Sequence, residues 1–153
     1  MRYANRLTGL FAGLILSAAP AGVLAAEPIE PGAIQQESAQ VVNQLLSRYH
    51  YNDRASGDDL SRAAYEAYFD ALDPQRYYFT REDIDAFAGR RTRLDDEVST
   101  GRLQTAYAIF ERYRERVQAR SDYALQLLDQ GLDFEGDATF QTDRSEADWA
   151  ASE

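Results

Sequence analysis

The turn between two predicted helices, at residues 71–87 (ALDPQRYYFTREDIDAF), constrains the fold of this 153-residue chain more than any other stretch. A helix ends there because Pro74 keeps the residue before it out of the helical region. Three large aromatic side chains follow at residues 77–79, and Thr80 then begins another helix. Adjacent rings in a turn become buried only when a second surface covers them. The stretch therefore does not fit a free-standing helix hairpin.

The chain begins with the pattern of a secretory signal peptide. Arg2 and Arg6 precede a mostly apolar stretch, residues 7–19, and small residues then suit cleavage near Ala25 or Ala26. About 13 apolar residues reach about 20 Å as a helix, short of the roughly 30 Å of a bilayer core, which argues against a membrane anchor. No cysteine follows for lipid attachment. We therefore expect an exported, soluble mature protein.

Charge and composition exclude several classes of partner and chemistry. Every basic residue is arginine, and removal of Arg2 and Arg6 with the signal peptide leaves 14 arginines against 26 acidic residues, a formal charge of −12. Such a charge repels nucleic acid and anionic lipid, so neither is expected as a main partner. The absence of cysteine excludes disulfides. The absence of lysine excludes a lysine general base within this sequence.

Apolar residues recur at three- and four-residue steps in four stretches, which indicates amphipathic helices. The predicted helices cover residues 35–49, 59–72, 80–98 and 102–129. Thr80 and Asp83 resemble a capping box, and Gly101 and Gly131 suit helix ends. We predict an all-α fold of about four antiparallel helices with an irregular C-terminal tail. The domain boundaries are a signal peptide at 1–26, an extended linker at 27–34 and an incomplete helical domain at 35–153.

The helical pattern stops after residue 131. Phe134, Phe140 and Trp149 are spaced among acidic residues, glycine and threonine. Isolated aromatic residues in a polar tail are typical of a segment pinned onto a neighbouring surface. Because Trp149 lies four residues from the end of the sequence, we expect its partner to lie in chain beyond Glu153.

Few residues are candidates for catalysis or metal binding. His50 is the only histidine and lies where a helix ends, which suits a cation at the helix C-terminus. The acidic runs at residues 58–59 and 95–97 could supply paired carboxylates or oxygen ligands. Because neighbouring residues on a helix point in different directions, we favour solvated surface or helix caps for them.

The arginines and rings of the later helices have simple structural interpretations. Tyr107, Phe110 and Tyr113 indicate a core or interface face. No serine or threonine has a histidine, a lysine or nucleophile-elbow glycines beside it, and no phosphate loop or dinucleotide fingerprint occurs. We therefore predict no catalytic, cofactor-binding or metal-binding residue in this chain. Ion pairing with nearby acids, rather than an anion site, is expected of Arg90, Arg91, Arg93, Arg112, Arg114, Arg116 and Arg120.

Most of residues 46–149 resembles the N-terminal region of the tail-specific proteases, the C-terminal-processing peptidases of the bacterial periplasm. Their motifs appear in the same order here, as LSRYHY (46–51), AYFDALDPQRYYFTREDIDAF (67–87), DDEVSTGRL (95–103) and YALQLLDQGLDFEGDATFQTDRSEADW (123–149). The resemblance implies an exported helical domain, followed by a PDZ-type module that captures C-termini. A protease core with a serine nucleophile and a lysine base would come after it.

The resemblance implies a non-catalytic role for these 153 residues, because the family's catalytic positions would lie beyond Glu153. The implied partners are the PDZ and protease parts of the same enzyme, a lipoprotein adaptor, and protein substrates through the full-length enzyme. No cofactor is implied. The isolated chain is expected to be partly molten.

One alternative is a stand-alone periplasmic helical binding or adaptor protein. Another, a small carboxylate-based glycosidase, is least favoured because nothing fixes two acids across a cleft.

Overall fold

A computed structural model describes residues 28–49, 57–132, 136–137 and 139–153 of the chain. These residues form five α-helices and no β-strand, which confirms the predicted all-α class. The predicted signal peptide, His50 and Phe134 lie outside the described residues. The helices are α1 (Ala33–Tyr49), α2 (Asp58–Leu72), α3 (Arg81–Phe87), α4 (Leu94–Thr100) and α5 (Gln104–Gln130), with a short 3-10 helix (Ala88–Arg90) directly after α3.

The core lies where α2, the turn after it and the first half of α5 meet. Its buried apolar side chains are at most 4% exposed and belong to Tyr65, Phe69, Phe79 and Ile109. Helix α2 packs against α4 and α5, α3 packs against α5, and α1 packs against α4. This arrangement places α1 at the outside of the domain, away from the buried rings.

The prediction of one helix over residues 80–98 is wrong, because the chain forms two short helices there. Tyr65 of α2 donates its hydroxyl to the carbonyl of Ile84 at 2.7 Å. A continuing α-helix would use that carbonyl for the N–H of Ala88. The Ala88 N–H instead bonds to the carbonyl of Asp85, which gives the tighter 3-10 turn. A contact from a distant helix thus ends α3.

Helix α1 turns a polar side toward α4. Gln40 donates its amide to the carbonyl of Thr100 at 3.1 Å. The side chains of Val42 and Leu45, which lie on the predicted apolar stripe, are 51% and 52% exposed. Leu46 and Tyr49 of the same stripe have side chains outside the described part of the structure. The apolar face of α1 is therefore uncovered where the structure describes it.

The second half of α5 extends beyond the core. Every residue from 118 to 130 is exposed except the half-buried Leu127. Thirteen residues at about 1.5 Å each give an arm of about 20 Å. The helix ends at Gln130, and Gly131 follows with a φ of 83°, as expected of a helix-ending glycine.

The fold predicts opposite outcomes for two glycine substitutions. Gly101 ends α4 with a φ of 72°, and a Cβ there would lie 3.0 Å from the carbonyl oxygen of Gln36 in α1. Gly101→Ala should therefore lower the free energy of unfolding by about 1–2 kcal/mol in urea titrations, through backbone strain and displacement of α1.

Gly89→Ala is the matched control, because a Cβ at Gly89 meets no atom within 4 Å. Its free energy of unfolding should stay within about 0.5 kcal/mol of the parent chain. Equal effects of the two substitutions would contradict the packing of α1 on the end of α4.

Candidate interaction site at the aromatic turn

The turn after α2 is organised around one buried carboxylate. Asp73, 1% exposed, accepts hydrogen bonds from the backbone N–H groups of Tyr77 and Tyr78, both at 2.8 Å, and of Phe79 at 3.0 Å. Arg76 lies inside this turn with a φ of 53°, in the left-handed region that residues with a Cβ rarely adopt. The turn consequently leaves no unpaired N–H group among the three aromatic residues.

The next residues form the predicted capping box. The Thr80 hydroxyl accepts from the N–H of Asp83 at 3.3 Å, and the Asp83 carboxylate accepts from the N–H of Thr80 at 3.0 Å. Two arginines of α5 bind the same carboxylate. Arg116 donates to both of its oxygens at 2.8 and 2.9 Å, and Arg112 donates at 2.9 Å. Because Asp83 is 1% exposed, it ties the start of α3 to the middle of α5 from inside the domain.

The Asp83 carboxylate stays ionised despite its burial. Burial acts to raise its pKa, but hydrogen bonds from Arg116, Thr80 and Arg112 outweigh that effect and lower the pKa to about 2. Hydrogen bonding to Asp83 in turn raises the pKa of Arg116 above its ordinary value. The site therefore holds a permanent ion pair at any pH above about 4.

The side chain of Phe79 anchors the turn to the core by packing among its rings. Its ring centroid lies 4.8 Å from that of Phe69, 5.6 Å from that of Tyr113 and 6.1 Å from that of Trp149. Tyr78 meets Tyr113 edge-on at 5.5 Å. The aromatic turn is thus covered on two sides, by α5 and by the C-terminal tail, as the run of three rings required.

The C-terminal tail returns to the aromatic turn. The N–H of Arg81 donates to the carbonyl of Ala150 at 2.7 Å, and the Tyr77 hydroxyl donates to the carbonyl of Thr142 at 3.0 Å. The expectation that Trp149 finds its partner beyond Glu153 is wrong, because its ring packs on Phe79 of this chain. The expectation that aromatic residues pin the tail to a neighbouring surface is confirmed.

The acidic run at residues 95–97 caps helices other than its own. Asp95 accepts from the N–H of Gly57 at 2.9 Å and from the Ser61 hydroxyl at 2.6 Å, at the start of α2. Glu97 accepts from the N–H and hydroxyl of Thr105, at the start of α5. Hydrogen bonding from Ser61 lowers the pKa of Asp95. Capping is therefore confirmed, whereas the solvated-surface interpretation is wrong for these two half-buried side chains.

The other acidic run lies at the surface. Asp59 is fully exposed and pairs with Arg62 at 2.8 Å, and Asp58 pairs with the same arginine at 3.5 Å. The N-cap of α2 is Gly57, so the solvated-surface interpretation holds for this run and the helix-cap interpretation does not. Since Asp95 binds the Gly57 N–H, a side chain from α4 takes over that role.

The ion-pair interpretation is confirmed for Arg112, Arg114 and Arg116 of α5, whereas Arg120 forms no ion pair among the described residues. The interpretation also missed Asp83, the main partner of Arg112 and Arg116. Arg114 pairs with Glu111 at 3.1 Å and Arg112 with Glu115 at 2.9 Å, both one helical turn apart. The bonds from Arg112 and Arg116 to Asp83 span 29 and 33 residues. The spacing of Arg112 and Arg116 placed them on one face of α5, yet nothing local indicated which acid they would meet.

Tyr107 and Phe110 have the half-buried positions expected of core or interface residues. With Ile29 and Tyr68 they line a small cavity of about 260 Å³. The Tyr68 hydroxyl is held by the carbonyl of Ala106 at 3.2 Å.

The geometry at the turn is that of a packed contact surface. The hydroxyls of Ser61 and Thr105 are engaged by Asp95 and Glu97. Among the described residues, no three histidine, cysteine or acidic side chains are grouped so as to hold a metal ion. No helix in the described ranges has the length and apolar composition needed to cross a bilayer. The lack of catalytic, cofactor-binding and metal-binding residues in this chain remains a prediction.

Substitution of Asp83 should lower the free energy of unfolding more than substitution of an exposed acidic residue does. Asp83→Asn leaves Arg112 and Arg116 facing a neutral amide in a buried position, so the free energy of unfolding in urea should fall by about 3 kcal/mol or more. Asp59→Asn removes an equal charge from a surface ion pair and should cost less than about 0.5 kcal/mol. Similar losses for both variants would show that Asp83 is not a structural anchor.

The ion pair at Asp83 also predicts an acid dependence. Because the folded-state pKa of about 2 lies below the ordinary value of 3.8, the stabilisation is complete above about pH 4 and is lost as the pH falls through about 2. The contribution is about 2 kcal/mol. The difference in unfolding free energy between the parent chain and Asp83→Asn should therefore shrink between pH 4 and pH 2. A difference that stays constant over this range would contradict the assignment.

Comparison with known proteins agrees with the resemblance seen in the sequence. Residues 41–153 match the family described as the tail specific protease N-terminal domain. The tail-specific protease of Haemophilus influenzae is 31% identical over 119 residues, which cover 75% of this chain and 17% of that relative. The chain therefore spans a small part of the length of the relative it matches. The aromatic turn, the helices around it and the returning tail all lie inside the matched region, and the chain belongs to the tail-specific protease N-terminal domain family.

Proposed function

We propose that this chain is the non-catalytic N-terminal part of an exported, periplasmic C-terminal-processing serine endopeptidase, and that it buttresses the PDZ-type and protease parts of that enzyme. The proposal is supported by membership of the family and by the small share of the relative that the chain covers. The signal-peptide pattern of the first residues supports export. Proteolysis itself would belong to the full-length enzyme.

The uncovered arm of α5 is the observation that carries the proposal. Four large apolar side chains on and just after this arm are 49–60% exposed: Tyr123, Leu125, Leu128 and Leu132. An exposed two-turn cluster of this kind marks a surface that another body covers. Leu125 and Leu128 lie three residues apart on one face of α5, so one partner surface could bury both, and Leu132 follows just after the end of the helix.

The position of the tail supports the choice of partner for this arm. Glu153 forms an ion pair with Arg116, in the middle of α5. A polypeptide continuing past Glu153 would leave the domain close to the base of the arm. The PDZ-type and protease parts are therefore the occupants that can reach the arm at the lowest entropic cost, since they are tethered beside it.

The apolar face of α1 is a second candidate surface. Val41, Val42 and Leu45 are 51–53% exposed, and Ile34 is 75% exposed. This face belongs to a helix that packs on α4, outside the buried core. A lipoprotein adaptor is the partner we propose for it, and substrates would be engaged by the other parts of the enzyme.

Hydrogen exchange tests the role of the arm. In the full-length enzyme, the amides of residues 121–130 should exchange at least about tenfold more slowly than in the 153-residue chain, because a partner surface covers them. Leu125→Gln combined with Leu128→Gln should remove that protection and lower the stability of the full-length enzyme, while leaving the 153-residue chain within about 0.5 kcal/mol of the parent.

Gln126→Asn is the matched control, because it changes an exposed polar residue of the same arm. It should leave protection in the full-length enzyme unchanged. Equal exchange of residues 121–130 in both forms of the protein would contradict the proposal.

A blot of the native periplasm separates the proposal from its alternative. An antibody to this domain should detect a band several times heavier than the mature chain. A band at the short size would instead support a stand-alone periplasmic binding protein that uses the same exposed faces.

A further inference from the structure

A groove rich in arginine and aromatic side chains lies between the C-terminal tail and α5. Its volume is about 350 Å³, within the range of small ligand sites. We call it the arginine groove, and it is lined by Arg76, Tyr77, Tyr78, Arg120, Phe140, Arg144 and Ala150. It borders the base of the exposed arm of α5 through Arg120, but it includes none of the apolar residues at 123–132.

The aromatic wall of the arginine groove is fixed by the fold. Tyr77 and Phe140 stack with ring centroids 6.1 Å apart and planes within 19° of parallel. The Tyr77 hydroxyl is held by the carbonyl of Thr142, and the Arg144 guanidinium lies over the Tyr77 ring at 5.9 Å. The backbone N–H of Arg144 is bound by the Gln75 side chain at 2.8 Å. Ring faces and a cation are therefore presented together on a preformed surface.

The three arginines of the groove lack the close acid partners found elsewhere on the domain. Arg76 has its nearest carboxylate, that of Asp70, at 3.8 Å, and its buried Nε has no hydrogen-bond partner within the described residues. Arg120 and Arg144 form no ion pair in the part of the chain that the structure describes. By contrast, Arg112 and Arg116 of the same helix each bind two carboxylates.

This concentration of positive charge occurs in a chain with a formal charge of −10. Three guanidinium groups line the groove, and among the described residues Asp70 is the one acid within 4 Å of any of them, so the groove presents a locally cationic site. Guanidinium groups bind carboxylates through paired hydrogen bonds, and the ring wall suits an apolar or aromatic side chain beside them. Long polyanions such as nucleic acid remain disfavoured by the overall charge.

We propose that the arginine groove binds a short acidic peptide segment, with carboxylates on Arg120 and Arg144 and a neighbouring aromatic or apolar side chain against Tyr77 and Phe140. Arg76 adds positive charge to the lining, and its guanidinium is held by the carbonyl of Ala147 and lies over the Trp149 ring. The segment belongs to a protein partner. This binding does not depend on the contact proposed for the arm of α5.

Calorimetric titration of the polypeptide at its natural full length tests the proposal. The probe is the peptide acetyl-Glu-Glu-Phe-Glu-Glu-amide, and its control has all four glutamates replaced by glutamine. The acidic peptide should bind saturably below about 1 mM at low salt, and the glutamine peptide should bind at least about tenfold more weakly. Equal binding of the two peptides, or none by the acidic one, would overturn the proposal.

Substitutions locate the site. Arg120→Gln combined with Arg144→Gln should weaken binding of the acidic peptide at least about tenfold. Arg90→Gln combined with Arg93→Gln removes the same charge from exposed positions outside the groove and should change the affinity less than about twofold. The single variant Arg120→Glu should keep the fold, because Arg120 lies on an exposed helix surface. It should nevertheless abolish binding of the acidic peptide, because it reverses a charge of the groove. Unchanged binding by the Arg120→Glu variant would refute the assignment.

Two further measurements distinguish the arginine groove from a simple anion site and from the arm of α5. Inorganic phosphate should bind more weakly than the acidic peptide, and equal affinity would mean a simple anion site and would overturn the peptide assignment. The Leu125→Gln, Leu128→Gln variant should bind the acidic peptide as the parent does. Peptide binding at the groove can therefore be judged separately from the proposed role of the arm. Loss of peptide binding in that variant would place the peptide on the arm and overturn the assignment to the groove.

Discussion

The ion-paired carboxylate of Asp83 is the point on which the rest of the domain depends. It caps α3 through Thr80, and it receives Arg112 and Arg116 from α5 while being 1% exposed. Arg116 also pairs with Glu153, so the same group of charges reaches the end of the tail. Burial of a charge costs several kcal/mol unless it is fully paired, and this pairing therefore forces α3, α5 and the tail into one arrangement.

Because the hydrophobic core is small, the domain also depends on buried, hydrogen-bonded carboxylates for its order. Within the described ranges, four apolar side chains are buried, and several large apolar side chains of α1 and of the α5 arm are exposed. Asp73 and Asp83 fix the backbone on either side of the Phe79 side chain, because they accept hydrogen bonds from the N–H groups of Phe79 and Thr80. The well-packed turn faces inward, and the uncovered faces point away from it. This division fits the proposed function, in which the ordered turn holds the domain together and the exposed apolar faces are left for a partner surface.

Local patterns in the sequence predicted the local features of the fold. Helical periodicity located α2 and α5, and the Thr80–Asp83 spacing indicated the capping box, because both depend on residues within one or two turns. The break after α3 was not predictable, since it depends on Tyr65, 19 residues earlier. The capping by Asp95 and the bond from Arg116 to Asp83 cross 34 and 33 residues in the same way. The arginine groove was hidden for that reason too, because its three arginines come from separate segments.

The closure of the aromatic turn by the chain's own tail can be measured at one amide. The N–H of Arg81 is in the first turn of α3, where a helix offers it no partner, and it is bound by the carbonyl of Ala150. In hydrogen exchange followed by NMR, the Arg81 amide should be protected to a degree close to that of the buried residues of α2. Exchange at the rate of an exposed loop would show that the tail does not close the turn and would contradict the account.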